Sequence, residues 1–207
     1  MSKNKMIELE CLFCKEKGNY LLWDSINVTV DPQIKEKALN LSLFDYKCEK
    51  CNSISRVNHD SLYHDMDNKF MIYLLGDQSE ETVKKLNESM IVSSEYHFRL
   101  VDDHNQLKEK IHILESKLND ATIELVKSQI FKDFTQEEKA NMIGLYFFEK
   151  HEDGLVFIVV NKEDNKFIKL PINFYDGINK LISDVEKNIF VKVDSKTAIR
   201  YVNNLEN

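Results

Sequence analysis

All four cysteines of the chain fall into two C-x2-C pairs, Cys11/Cys14 and Cys48/Cys51, with the 33 residues from Lys15 to Lys47 between them. This pattern constrains the fold more than any other feature. In a C-x2-C turn two thiolates converge on one side of a tight loop. Two such turns on adjacent hairpins supply the tetrahedral four-sulfur set that Zn²⁺ prefers. The spacing therefore predicts that Cys11, Cys14, Cys48 and Cys51 hold one structural Zn²⁺ ion whose coordination sphere the protein closes. The residue after the second cysteine of such a turn often takes a positive φ. Asn52 suits that position, and Lys15 suits it poorly. The gap is longer than a simple zinc ribbon uses, so a strand and a helix must be inserted between the turns.

Two other uses of cysteine compete with this one. A thioredoxin-like pair sits at a helix N-terminus, but Lys15-Glu16-Lys17-Gly18 reads as a turn. Disulfides need an oxidising compartment. The opening Met1-Ser2-Lys3-Asn4-Lys5-Met6 runs straight into Glu8 and Glu10, without the apolar segment of a secretory signal. Apolar runs such as Leu155 to Val160 are far short of the roughly 20 residues of a membrane helix. The expectation is a cytoplasmic protein with no membrane partner.

The chain of 207 residues is 43% hydrophobic and 30% charged, with only five Gly and two Pro. That composition excludes collagen-like and disordered classes. The patterning predicts an α+β protein. Ile7 and Leu9 alternate with Glu8 and Glu10 as a half-buried strand, and a second strand covers Tyr20 to Val30. Asp31-Pro32 starts a short helix to Leu39. Leu43 to Cys48, Ile54 to Val57, Ser61 to His64 and Phe70 to Leu75 are further strands. A helix follows Ser79-Glu80-Glu81, then a strand from Ile91 to Val101.

Leu107, Ile111, Leu114, Leu118, Ala121 and Leu125 step by three and four. That stripe reads as two intramolecular helices broken at Asn119-Asp120, with Asp120 capping the second; the alternative is a homodimer seam. Toward the C-terminus, Leu145 to Phe148, Leu155 to Val160 and Phe167 to Leu170 form three strands. A helix carrying Ile178, Leu181, Ile182 and Val185 follows them. Phe190 to Val193 is a short strand, and Asp194 or Ser195 caps a closing helix. The expected layout is a zinc-ribbon-like, β-rich domain over residues 1–130 with a helical insertion and a helical end. A small antiparallel sheet-and-helix domain over 141–207 follows it.

The two cysteine turns around a strand–helix insertion, Leu62-Tyr63-His64-Asp65, Lys69-Phe70-Met71-Ile72-Tyr73-Leu74, and later Asp120, Ile123-Glu124-Leu125 and Lys127 resemble the bacterial and archaeal CpXC domain family. The resemblance covers residues 5–130. Family members carry Pro after the first cysteine of a pair, where this chain has Leu12 and Glu49. The resemblance implies a zinc-ribbon-like fold and no reaction.

No other constellation points to catalysis. The histidines His59, His64, His97, His104, His112 and His151 show no helix-spaced ligand pair, and neither a phosphate loop nor a nucleophile elbow occurs. His64 and Asp65, as strand neighbours, point to opposite faces and cannot pair. No catalytic or organic-cofactor-binding residue is assigned. Of 28 basic residues only Arg56, Arg99 and Arg200 are arginine, and each third of the chain is net acidic, so no polyanion footprint is visible.

The leading expectation is a non-catalytic, zinc-stabilised binding or scaffold module for a protein partner. A nucleic-acid-associated zinc ribbon is the second reading, and it requires Lys35, Lys37, Lys47 and Lys50 to converge beside the knuckles. A thiol-redox or other enzyme is the third. Trp23 is expected in the core beneath the knuckles rather than on a binding surface.

Overall fold

The computed structural model describes residues 1–76, 80–89 and 95–202. The protein is mixed α+β. Its contacts divide it into two compact units, one of residues 1–108 with 187–190, the other of 109–186 with 191–207.

The first unit begins with a long hairpin of β1 (Lys3–Glu10) and β2 (Lys17–Asn27), paired from Lys3↔Ser25 to Glu10↔Lys17. Asp31-Pro32 then turns the chain as expected. Pro32–Ile34 forms one 3-10 turn that runs into α1 (Lys35–Leu39), although Asp31 makes no side-chain cap. β3 (Asp45–Lys47) and β4 (Ile54–Arg56) form a separate two-stranded sheet. β5 (Ser61–Asp65) and β6 (Phe70–Leu74) make the next hairpin. Its turn is held by the Asp65 carboxylate, which accepts from the Asn68 backbone N–H and side chain at 2.9 and 2.8 Å.

β5 lies parallel to β2, and β7 (His97–Val101) lies parallel to β6, giving the order β1-β2-β5-β6-β7. The alternating burial of β5 and β6 is the period-two signature of a sheet with a buried face, filled by Tyr63, Phe70, Ile72 and Leu74. α2 (Glu80–Ser89) packs Val83 and Leu86 against Leu75, Phe98, Leu100 and Phe190. Ser79 and Ile91, which marked the expected helix start and strand start, lie outside the described residues.

Asp103 accepts from the backbone N–H groups of Asn105 and Gln106, starting α3 (His104–Glu115). α4 (Asp120–Asp133) follows after a break at 116–119. The heptad-like stripe therefore belongs to two helices, and Leu107, Ile111, Leu114, Leu118 and Ala121 are all buried within the chain. The cap of α4 is Asn119, whose side chain accepts from Ala121 and Thr122, and not Asp120. Asp120 is instead spent on a buried ion pair with Lys110 at 3.0 Å.

In the second unit Thr135 and Glu138 close a reciprocal capping box on α5 (Gln136–Asn141). β8 (Met142–Lys150), β9 (Gly154–Asn161) and β10 (Lys166–Pro171) form an antiparallel meander with β9 central. Leu145, Phe147, Leu155, Phe157 and Val159 of this sheet pack with Ile123, Val126 and Ile130 of α4.

α6 spans Ile172–Asn179, about one and a half turns earlier than the predicted helix. The helix starts directly after Pro171, the last residue of β10, and Ile182 and Val185 beyond its end pack from irregular backbone. β11 (Val191–Lys192) is shorter than predicted, and the closing helix is a 3-10 turn over Ala198–Tyr201. Among the described residues no helix is long and apolar enough to cross a membrane.

Candidate metal centre

The two cysteine turns adopt one backbone design. In the first, the Lys15 N–H donates to the Cys11 carbonyl at 3.0 Å and the Cys11 N–H to the Glu16 carbonyl at 2.8 Å. In the second, Asn52 N–H donates to Cys48 O and Cys48 N–H to Ser53 O, both at 2.9 Å. Each loop curls around its own sulfurs because the residue after the second cysteine enters the left-handed region, Lys15 at φ 60° and Asn52 at φ 58°. Asparagine tolerates that region, whereas lysine bears the full Cβ crowding of about 1–2 kcal/mol. The sequence pattern favoured only Asn52 at this position, yet both residues adopt the conformation the turn demands.

The hairpin β1–β2 presents the first turn, and β3–β4 presents the second. Tyr20, Tyr46, Cys11 and Cys48 form a buried cluster between them, with Ile7, Leu9, Leu22 and Val57 at its margin. The Tyr20 and Tyr46 rings meet edge to face with centroids 6.4 Å apart. Tyr46 lies so close to β2 that a Cβ at Gly18 would overlap its hydroxyl and force the ring to shift. The Tyr20 hydroxyl donates to the Leu43 carbonyl at 2.9 Å, tying the insertion to β2.

The result is that all four Sγ atoms lie within 4.8 Å of one another. Cys11 Sγ is 3.7 Å from Cys51 Sγ, and Cys14 Sγ is 3.6 Å from Cys48 Sγ, each contact crossing between the turns. Metal–sulfur bonds of about 2.3 Å in a tetrahedron place the sulfurs about 3.8 Å apart, so the observed spacing fits a metal ion. It is far too long for a disulfide bond of about 2.05 Å, and all four cysteines are free.

Ser53 adds a contact that spacing alone did not reveal. Its hydroxyl lies 3.0 Å from Cys51 Sγ and 3.3 Å from Cys11 Sγ, linking the two turns. That hydroxyl, with the Cys14 backbone N–H, holds the Cys11 thiol down at about 6. The same hydroxyl and the Ser53 backbone N–H hold Cys51 below its usual value. At Cys14 the Glu16 backbone N–H pulls in the same direction. Desolvation and the three other sulfurs outweigh it and push the thiol up to about 12. Four thiols so close cannot all ionise without a cation among them, which is the linkage between metal binding and proton release.

No histidine joins the cluster, and no second group of three or more metal-ligating side chains comes together among the described residues. His64 contacts Asn27 and Tyr96, and Asp65 faces its own turn, so the two do not pair. His104 packs on Phe44 with ring centroids 4.5 Å apart. Desolvation, with the charges of Arg56 and His59, pushes its imidazole down to about 4.

Of the four lysines that a polyanion site would need, Lys50 pairs with Glu16 at 2.6 Å, while Lys37 and Lys47 line one cleft. Trp23 does not join the buried cluster beneath the knuckles; it is half-buried and lines that same cleft. The bulge that pairs Asn4 with Trp23 and Lys3 with Ser25 marks where the regular hairpin pairing ends.

A four-cysteine cluster that joins two turns of an α+β protein is a site that can bind a metal ion. The family model for the CpXC protein matches residues 9–127. The chain belongs to the CpXC family. No curated protein and no solved structure matches the chain.

Proposed function

We propose that the protein is a non-catalytic binding or scaffold module whose metal end is held by one structural Zn²⁺ ion and which docks a protein partner in the cytoplasm. The observation that carries this reading is the all-sulfur ligand set. Tetrahedral four-thiolate geometry suits zinc, and four protein ligands leave no open position for a substrate or an activated water. The zinc-ribbon-like domain over residues 1–130 and the small domain over 141–207 are part of the same proposal. Partner docking is supported by the side chains between the first two ligands: Leu12 and Phe13 are each 69% exposed at the tip of the knuckle. The net charge of −7 favours a protein over a polyanion.

Zinc per chain, released from untagged protein by thiol modification, tests the metal half. About one ion per chain is expected. Little or no zinc, with two disulfides or reactive thiols, would overturn it in favour of the redox reading. Affinity capture with zinc-loaded protein tests the partner half. A protein retained by the wild type and lost with Leu12→Ser/Phe13→Ser supports it. Salt-sensitive retention of DNA or RNA, lost when Lys35, Lys37, Lys47 and Lys50 become Glu, would replace it with the nucleic-acid reading.

A further inference from the structure

The residues inserted between the two cysteine turns build more than a linker. Along Lys17–Ser25, β2 is paired on one side by β1, but β5 reaches its other side only at Ser25–Asn27. Among the described residues no strand pairs that second edge from Lys17 to Asp24. At its far end the Trp23 carbonyl is capped by the Ser61 hydroxyl at 2.8 Å and approached by His59 Nε2 at 3.2 Å. Below that point a cleft of about 350 Å³ runs between β2 and the insertion, bordered by Asn19, Leu21, Trp23, Lys37, Leu43 and Lys47.

Three properties of this cleft converge on one occupant. First, its β2 wall is a strand with no strand beside it, the template that an extended peptide completes by backbone hydrogen bonds. Second, it offers apolar surface: Leu21 is 39% exposed, and Trp23 is half-buried beside it. Third, Lys37 and Lys47 are exposed and form no ion pair among the described residues, although most charged neighbours around the knuckles do. The acidic residue on the same rim, Asp45, is already neutralised by Arg56 at 2.8 Å. The net local charge presented to a ligand is therefore positive on an otherwise acidic protein. No arginine lines the cleft, which argues against a built phosphate site.

We propose that this cleft receives an extended acidic segment of a partner protein. The segment adds as a strand to the unpaired edge of β2 and sets its carboxylates against Lys37 and Lys47. Its apolar side chains alternate with the acidic ones and rest on Leu21 and Trp23, as the period-two geometry of a strand requires. This rests on the protein-binding reading above and names the chemistry of the partner.

Trp23 is the sole tryptophan of the chain, so its emission reports on the cleft directly. The probe is acetyl-Glu-Val-Glu-Val-Glu-amide, titrated into the zinc-loaded full-length protein at low salt. A saturable change in Trp23 emission is expected, weakened about tenfold or more by Lys37→Glu/Lys47→Glu at unchanged zinc content and melting temperature. The same peptide with alternate backbone amides methylated is expected not to bind, because strand addition needs those N–H groups.

No emission change at millimolar peptide, or equal binding of the lysine counterpart, overturns the proposal. So does equal binding of the methylated peptide, or an AMP or inorganic phosphate response that the lysine variant abolishes. If the peptide fails while capture through Leu12 and Phe13 succeeds, the partner reading stands and the cleft is not its site.

Discussion

The cysteine turns of the first unit and the core of the second differ in how much apolar surface they bury. Around the cysteine turns the core is thin: two buried tyrosines and two buried cysteines, with partly exposed aliphatics at the margin. In the second unit eleven buried residues, among them Phe147, Phe157, Ile123 and Val126, form one cluster between a sheet and helices. Beside that cluster lies a buried ionic network. Lys110 faces Asp120 at 3.0 Å, and Lys127 faces Glu109 at 2.9 Å and Glu124 at 3.0 Å. On the proposed zinc reading, ligand bonds would substitute for apolar burial where it is scarce; where it is plentiful, the chain carries buried charge. The two regions should therefore break under different treatments.

The largest difference is expected on metal removal. Structural zinc contributes about 10–16 kcal/mol of apparent binding energy in small peptides, more than a core of four buried residues can replace. Chelation, or Cys48→Ser, should unfold the two cysteine turns while the sheet of β8, β9 and β10 keeps its amide protection. Hydrogen exchange read segment by segment makes the comparison. A Cys48→Ser protein that holds its metal and protects both regions alike would show that the metal end does not depend on its ligands.

The ionic network is the counterpart in the second unit. Burial pushes Glu124 up, against the pull of Lys127 and Lys110. Burial likewise lowers Lys127, but Glu109 and Glu124 outweigh it and raise it overall. Glu109 also accepts the Phe147 backbone N–H at 2.7 Å, so it is fixed from two sides. Removing one member leaves the rest uncompensated. Lys110→Ala should cost about 3–5 kcal/mol, while Lys110→Met with Asp120→Leu should recover most of it. Urea midpoints of the single and double variants test this, and a double variant less stable than Lys110→Ala would mean that the two residues act as separate contacts. Zinc content should be the same in all of them.

What the sequence made legible follows the same division. The cysteine cluster could be read because two identical C-x2-C pairs that hold every cysteine of the chain have few uses other than to converge, and their four Sγ atoms do lie within 4.8 Å of one another. The three strands β8, β9 and β10 were legible from apolar runs separated by polar turns.

The second-unit network was not, since Glu109, Lys110, Asp120 and Glu124 have the composition of an ordinary solvated helix face. Only tertiary packing decides that they are buried. The same competition moved the cap of α4: Asp120 has the right chemistry, but its ion pair with Lys110 takes it and Asn119 caps instead. Helix α6 lies earlier than the sequence pattern predicts because the apolar residues are periodic well beyond Asn179, and periodicity cannot say where packing lets a helix end. Ser53, two residues after Cys51, was within reach of sequence reasoning, as a hydroxyl beside a thiolate is a recognisable donor.

Acid should separate the regions next. His104 in the first unit is held at about 4, below the ordinary value of 6.5, facing Phe44, the Val57 carbonyl, Asp103, Arg56 and His59. Above pH 6.5 the imidazole is neutral in both folded and unfolded chains and its contribution is fully present. As the pH falls from 6.5 toward 4, the unfolded chain takes up the proton and the folded one does not. Stability is lost across that window, by about 3 kcal/mol in all. His104→Phe should remove that slope. The comparison is the difference in urea midpoint between wild type and variant at pH 7.5 and 5.5, in which zinc release is common to both. Parallel losses in the two proteins would place the acid sensitivity elsewhere.

The smallest effect compares the two cysteine turns with each other. Their backbone hydrogen bonds match and their left-handed residues differ by only 2° in φ, yet one carries lysine and the other asparagine. If the conformation is imposed by the turn, the residue preferences should transfer. Lys15→Asn should stabilise the metal-loaded protein by about 0.5–1 kcal/mol, Lys15→Gly by less because glycine also loosens the unfolded chain. Asn52→Lys should cost the same amount that Lys15→Asn gains. Lys15 also lies 3.5 Å from Glu10, but both side chains are more than half exposed and that pair contributes little. Equal and opposite shifts in zinc-loaded melting temperature would show that one physical rule governs both knuckles. A loss at Lys15→Asn would instead assign the lysine a contact worth more than the strain it bears.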